Sequence, residues 1–76
     1  MNSIQKTPEK AVALLRSRSL RELITDFLVT NYHNEPEIYT VRGWILDELE
    51  RRNPDAFFAW LDQSAQDEQL FAFFHC

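Results

Sequence analysis

Cysteine and glycine each occur once in the 76-residue chain. With Cys76 alone, no disulfide can form within the chain. That excludes the cross-linked framework of small secreted scaffolds and fits a reducing, cytoplasmic setting, with Cys76 itself an incidental thiol. With Gly43 alone, no glycine-rich loop can be built to cradle phosphates. Long apolar runs are also missing: no segment approaches the roughly eighteen consecutive apolar residues of a membrane span, and Met1 to Lys10 holds no run of signal-peptide length. Metal-ligating side chains are scarce. His33, His75 and Cys76 are the only nitrogen or sulfur candidates, without the spacing of a zinc or metalloprotease motif, so neither a metal nor another cofactor is expected. Carboxylate pairs such as Asp47 with Glu50, or Asp67 beside Glu68, read as solvated faces. Nothing in the sequence supplies the buried pocket that would tune them for acid and base chemistry, so an enzyme is not expected.

What the chain does contain is apolar surface. Hydrophobic residues make up 45% and aromatics 13%, too much for a segment that stays disordered. The expectation is a single helical domain over residues 1–76, with flexible ends at 1–7 and 75–76. A domain this small hides only ~60% of the surface its unfolded chain exposes, which makes a homodimer a natural extra source of stability. Net charge is −4 but unevenly placed. Met1 to His33 carries five Lys or Arg against three acids, and Asp47 to Cys76 carries seven acids against Arg51 and Arg52. An acidic chain of this kind lacks the overall basic footprint of a nucleic-acid binder, although its first half is basic.

Helix punctuation is frequent. Thr7-Pro8-Glu9 places a capping hydroxyl before a proline, predicting a first helix over Pro8 to Ser17. Ser19-Leu20-Arg21-Glu22 is a capping box that opens a second helix, ending near Tyr32. Leu20, Leu23, Ile24, Phe27 and Leu28 fall within an arc of about 140° on it, which marks a core-facing stripe. Proline disfavours helix in the residue before it, so Asn34 to Tyr39 reads as a connecting loop. Thr40 then caps a third helix, Val41 to about Arg52, with Val41, Ile45 and Leu49 as its stripe. Asn53-Pro54-Asp55 opens a fourth helix in a tight corner, with Phe57, Trp60 and Leu61 on one face. Ser64 is read as the cap of a last turn reaching Asp67 or Glu68. The predicted fold is all-α: a compact array of four short helices plus an apolar C-terminal tail or short fifth helix.

Two features fit a single core less easily. Trp44, Glu48 and Arg52 form one row on the third helix. They make either an i, i+4 ion pair at the core edge, parallel to an exposed Asp47 and Arg51 pair, or a face for a partner protein, where Trp and Arg often dominate binding energy. The tail residues Leu70, Phe71, Phe73 and Phe74 either fold back over Phe27, Ile45, Leu49, Phe57 and Trp60 or dock on another chain. Gly43 in the third helix costs up to ~1 kcal/mol against alanine, which predicts a close neighbour: another helix of this chain, or another molecule.

The run TVRGWILDELERRNPDAFFAWL, Thr40 to Leu61, together with the Leu20 to Leu28 helix, resembles small uncharacterised proteins of phages and mobile elements of Gram-positive bacteria. The resemblance implies an accessory bacterial protein and carries no activity. A helix-turn-helix reading fails on chemistry, because its recognition helix would present Asp55, Phe57, Phe58 and Trp60 to DNA. The leading expectation is therefore an intracellular accessory protein that binds another protein or a second copy of itself. The alternative is a nucleic-acid-linked regulator. It would bind DNA through Lys6, Lys10, Arg16, Arg18 and Arg21, or occupy a nucleic-acid enzyme's basic groove with the acidic Asp47 to Glu68 surface.

Overall fold

Prolines and polar caps set where most of the helices begin. The structure, a computed structural model, describes residues 8–76. Their order is α1 (Glu9–Ser17), α2 (Leu20–Val29), a 3-10 turn (Thr30–Tyr32), α3 (Pro36–Arg52), α4 (Pro54–Asp62), a second 3-10 turn (Asp67–Gln69) and α5 (Leu70–Phe73). No strand occurs among the described residues, and the fold is all-α. The Thr7 cap and the stretch 1–7 lie outside the described residues.

The Ser19 box closes α2 from both sides. The Glu22 amide donates to Ser19 Oγ at 3.1 Å, and the Ser19 amide donates to Glu22 Oε1 at 2.8 Å. α3 differs from expectation. It starts at Pro36 and not at Val41, so Tyr39 and Thr40 lie inside the helix, with Glu35 at its extended N-cap. The reason is that proline at the first helical position needs no amide partner and restricts only the residue before it. Glu35-Pro36-Glu37 is thus the same start signal as Asn53-Pro54-Asp55. Asn53 serves two helices at once. Its amide donates to the Leu49 carbonyl to close α3, and its side chain accepts from the Ala56 amide at 3.1 Å to open α4.

Helix stops are made without glycine. Ser64 adopts a positive φ of 50°, its amide bonds the Leu61 carbonyl and the Ala65 amide bonds the Trp60 carbonyl, the Schellman pattern. Ser64 therefore ends α4 and does not cap the turn that follows. His75, at φ 60°, ends α5 in the same way, its amide bonded to Ala72 and that of Cys76 to Phe71.

α3 is the element that the others pack against: it touches α1, α2 and α4, and α5 returns to α2 and α4. The core comprises Leu15, Leu23, Ile24, Phe27, Ile45, Leu49, Phe57, Trp60, Leu70 and Phe74. Phe27 meets Trp60 edge to face with ring centroids 6.4 Å apart, worth about 0.5–1.5 kcal/mol beyond the area buried. The Trp60 indole N–H reaches the Gln66 carbonyl at 2.9 Å, which ties the loop after α4 to the core. The tail folds back on its own chain: Leu70 and Phe74 are buried, and Phe71 and Phe73 pack against the same core from its edge. Leu61 is the exception on α4. It is about half exposed: the helix buries Phe57 and Trp60, and Leu61 lies on the far side of Phe57, about 100° from Trp60.

A left-handed residue other than glycine is strained, so Ser64→Gly is expected to raise stability by about 0.5 kcal/mol while Ser64→Ala gives no gain. Urea denaturation of the three proteins at one pH checks the difference.

Candidate functional site

Glu48 is the buried charged side chain among the described residues, 5% exposed beneath α1. Its position on α3 follows from the helix period, which sets it between the Ile45 and Leu49 stripe and the Trp44 edge. Arg51 binds it with both prongs, Nε to Oε1 at 3.1 Å and Nη2 to Oε2 at 2.7 Å. Arg52 Nε adds a bond to Oε2 at 2.8 Å, and Arg16 Nε stands 3.9 Å from Oε1. The hydrogen bonds from Arg51 hold the Glu48 carboxyl below the usual glutamate range against the opposing effect of burial, with Arg52 helping in the same direction.

Arg52 does more than pair with Glu48. Its Nη2 donates to the carbonyls of Leu15 and Arg18, both at 2.8 Å, and to that of Arg16 at 3.3 Å. These carbonyls lie at the C-terminal end of α1 and just beyond it, where backbone acceptors lack helical partners and the helix dipole favours a cation. The expected Glu48 and Arg52 pair exists, but its guanidinium is spent on α1. Arg51 turns to Glu48 as well. Of the Trp44, Glu48 and Arg52 row, Glu48 is buried while Trp44 and Arg52 are half-buried, and Trp44 borders α1.

Trp44 also bounds an open depression of about 450 Å³ on α3, lined by Tyr39, Thr40, Gly43, Trp44 and Asp47. Tyr39 stands beside it at 74% exposure. Gly43 corrects the expectation of a close neighbour within the chain, since a Cβ built on it would meet nothing within 4 Å. It lies on the face of α3 turned away from the core, one turn from Tyr39 on one side and one turn from Asp47 on the other. Tyr39 and Thr40 are not legible as part of this face while Asn34 to Tyr39 reads as a loop and Thr40 as a cap. The signal that could have found them is the Glu35-Pro36-Glu37 helix start.

Of the basic residues of the first half, Lys6 lies outside the described residues, and three arginines make contacts within the chain, Arg16 with Glu48 as above. Arg18 makes a two-pronged pair with Asp26 at 3.0 Å, and the Arg21 guanidinium lies 5.4 Å from the centre of the Phe71 ring. Among the described residues no group of three or more His, Cys, Asp or Glu is placed to hold a metal ion, and no helix is long and apolar enough to cross a membrane.

Because the folded chain keeps Glu48 ionised, the unfolded chain binds the extra proton as pH falls. The Glu48 contribution is therefore fully present above the ordinary glutamate pKa of about 4.3 and is lost below it. Glu48→Gln is expected to cost about 3 kcal/mol at neutral pH, the scale of breaking a buried ion pair, and to flatten the acid side of the stability profile. Thermal melts of both proteins between about pH 7 and pH 3 measure it. Comparisons with protein-family models, curated proteins and solved structures give no match.

Proposed function

We propose that the protein is a small helical interaction module, an accessory factor that works inside the cell by presenting the outward face of α3 to another protein. The observation that carries this reading is Tyr39, a large aromatic 74% exposed that lines the open depression together with Gly43 and Trp44. Tyrosine and tryptophan supply much contact area for little loss of side-chain freedom, and they dominate the energetics of many interfaces. The glycine supports the same reading. Alanine would be better in this helix by up to ~1 kcal/mol and would clash with nothing, so the absence of a side chain is useful only to something outside the chain.

The remaining candidates contribute to the fold and not to this surface. Leu70 and Phe74 are buried, and Glu48 and Arg52 hold α1. Comparative affinity capture from cells that express the protein tests the reading. Tyr39→Ala is expected to lose at least about tenfold of the retained partner, the effect of about 1.4 kcal/mol, with its melting temperature unchanged. Leu14→Ala, an exposed position on α1, is expected to retain it. Equal retention by both variants would overturn the assignment to α3.

A further inference from the structure

We propose that the outward face of α4 docks a basic amphipathic helix of another protein, with Phe58 and Leu61 meeting its apolar row and Asp55 and Asp62 meeting its cations. This is a second surface, separate from the face of α3 that carries Tyr39, and it does not depend on that reading.

The helix period divides α4 into a buried side and an outward side. Counted from Pro54, Trp60 and Phe57 fall at about −120° and −60° and are buried. Leu61 follows at about −20°, Phe58 at about 40°, Asp62 at about 80° and Asp55 at about 100°. These four are exposed, Phe58 to 46% and Leu61 to 47%. An apolar row and an acidic row thus run side by side along one helix. Phe58 is also held in place, its ring meeting that of Phe57 edge to face with centroids 5.3 Å apart. An ordered ring loses little freedom when a partner covers it.

Charge decides the chemistry of that partner. Residues 53–76 carry Asp55, Asp62, Asp67 and Glu68 and no Lys or Arg. The arginines that come just before them, Arg51 and Arg52, are bound to Glu48, and Arg42 meets Asp67. Among the described residues Asp55 and Asp62 have no ion-pair partner. An anionic lipid surface or a phosphate backbone would be repelled by the acidic row, and a purely apolar surface would strip those carboxylates of water without replacing it. A Lys or Arg side chain suits both rows, because its aliphatic stem can lie on Phe58 while its charged head reaches Asp62. One helix laid along another covers less than the roughly 1,600 Å² of a standard interface, so the affinity belongs in the range of about 10–100 μM.

The probe is a labelled synthetic peptide of about eighteen residues, with leucines at helical spacing and lysines beside them. Fluorescence anisotropy at low salt is expected to show it binding, and a peptide of the same composition in an order that abolishes the apolar row is expected to bind at least about fivefold more weakly. Two variants separate docking from folding. Asp62→Lys places a cation in the last turn of α4, where the helix dipole favours it, so the melting temperature should not fall while peptide affinity drops at least about fivefold. Leu61→Ala trims an exposed side chain and should lower affinity by a similar factor. Tyr39→Ala should bind the peptide as the unaltered protein does.

Failure of the unaltered protein to bind overturns the proposal, as does equal binding of the reordered peptide, which would reduce the contact to charge alone. Binding that Asp62→Lys and Leu61→Ala leave unchanged overturns it too. Loss in Tyr39→Ala alone would place the peptide on α3, excluding α4 and leaving the interaction-module reading in force. Self-association in sedimentation, or retention on phosphatidylserine vesicles, that Leu61→Ala abolishes would assign the face to a second copy or to lipid, and either result overturns the basic partner.

Discussion

A carboxylate taken out of water costs several kcal/mol unless its charge is met, and a guanidinium held against it must in turn find partners for its other donors. Glu48 and Arg52 satisfy both demands in one chain of contacts. The carboxylate is matched by Arg51 and Arg52, and Arg52 passes its remaining donors to the carbonyls where α1 ends. α1 brings only Leu15 to the core, too little apolar area to fix its angle. Its position is set by the direction of those carbonyls toward Arg52. Removing the carboxylate would leave the arginine without the charge that orients it, and α1 without its anchor.

A second arginine does comparable work toward the other end of α3. Arg42 donates to Thr30 Oγ1 at 2.6 Å and to Asn31 Oδ1 at 2.9 Å, approaches Asp67 at 3.5 Å and lies over the Phe27 ring at 4.1 Å from its centre. It thereby joins the end of α2 to the turn that precedes α5. Thr30, buried and bonded also to the Phe27 carbonyl, is satisfied by the same contact. α3 thus acts as a spine. Its apolar stripe supplies the core, its two long cations fix the helices that the stripe alone would not orient, and the side left over is the one that carries Tyr39 and Gly43.

Much of this was legible in the sequence, and the failures have physical causes. The Ser19 box and the Asn53 cap could be read because capping is local: donor and acceptor are three residues apart. The α2 stripe could be read because burial follows the helix period. Pro36 is ambiguous because proline stops one helix and starts another by the same chemistry, and only the acid that follows it marks a start. That one boundary moved Tyr39 and Thr40 from loop to helix and hid the face they belong to. The Glu48 and Arg52 pair was visible on the wheel, but its meaning lay in carbonyls 34 to 37 positions away, and no local pattern reports such a contact. The tail's need for burial was plain from its composition, whereas the surface that receives it was not.

The way the helices stop bears on a state of the chain other than the folded one. Ser64 and His75 occupy left-handed conformations that glycine would adopt without strain, so the native fold carries a small penalty at each. Glycine would relieve that strain while loosening the denatured chain, and at Ser64 the relief is the larger of the two effects. With its only glycine inside a helix and Pro36 and Pro54 restricting two further positions, the chain wanders through a narrower ensemble before it folds. A domain near the lower size limit for a single core gains from that restraint. Part of its stability resides in what the unfolded polypeptide is prevented from exploring.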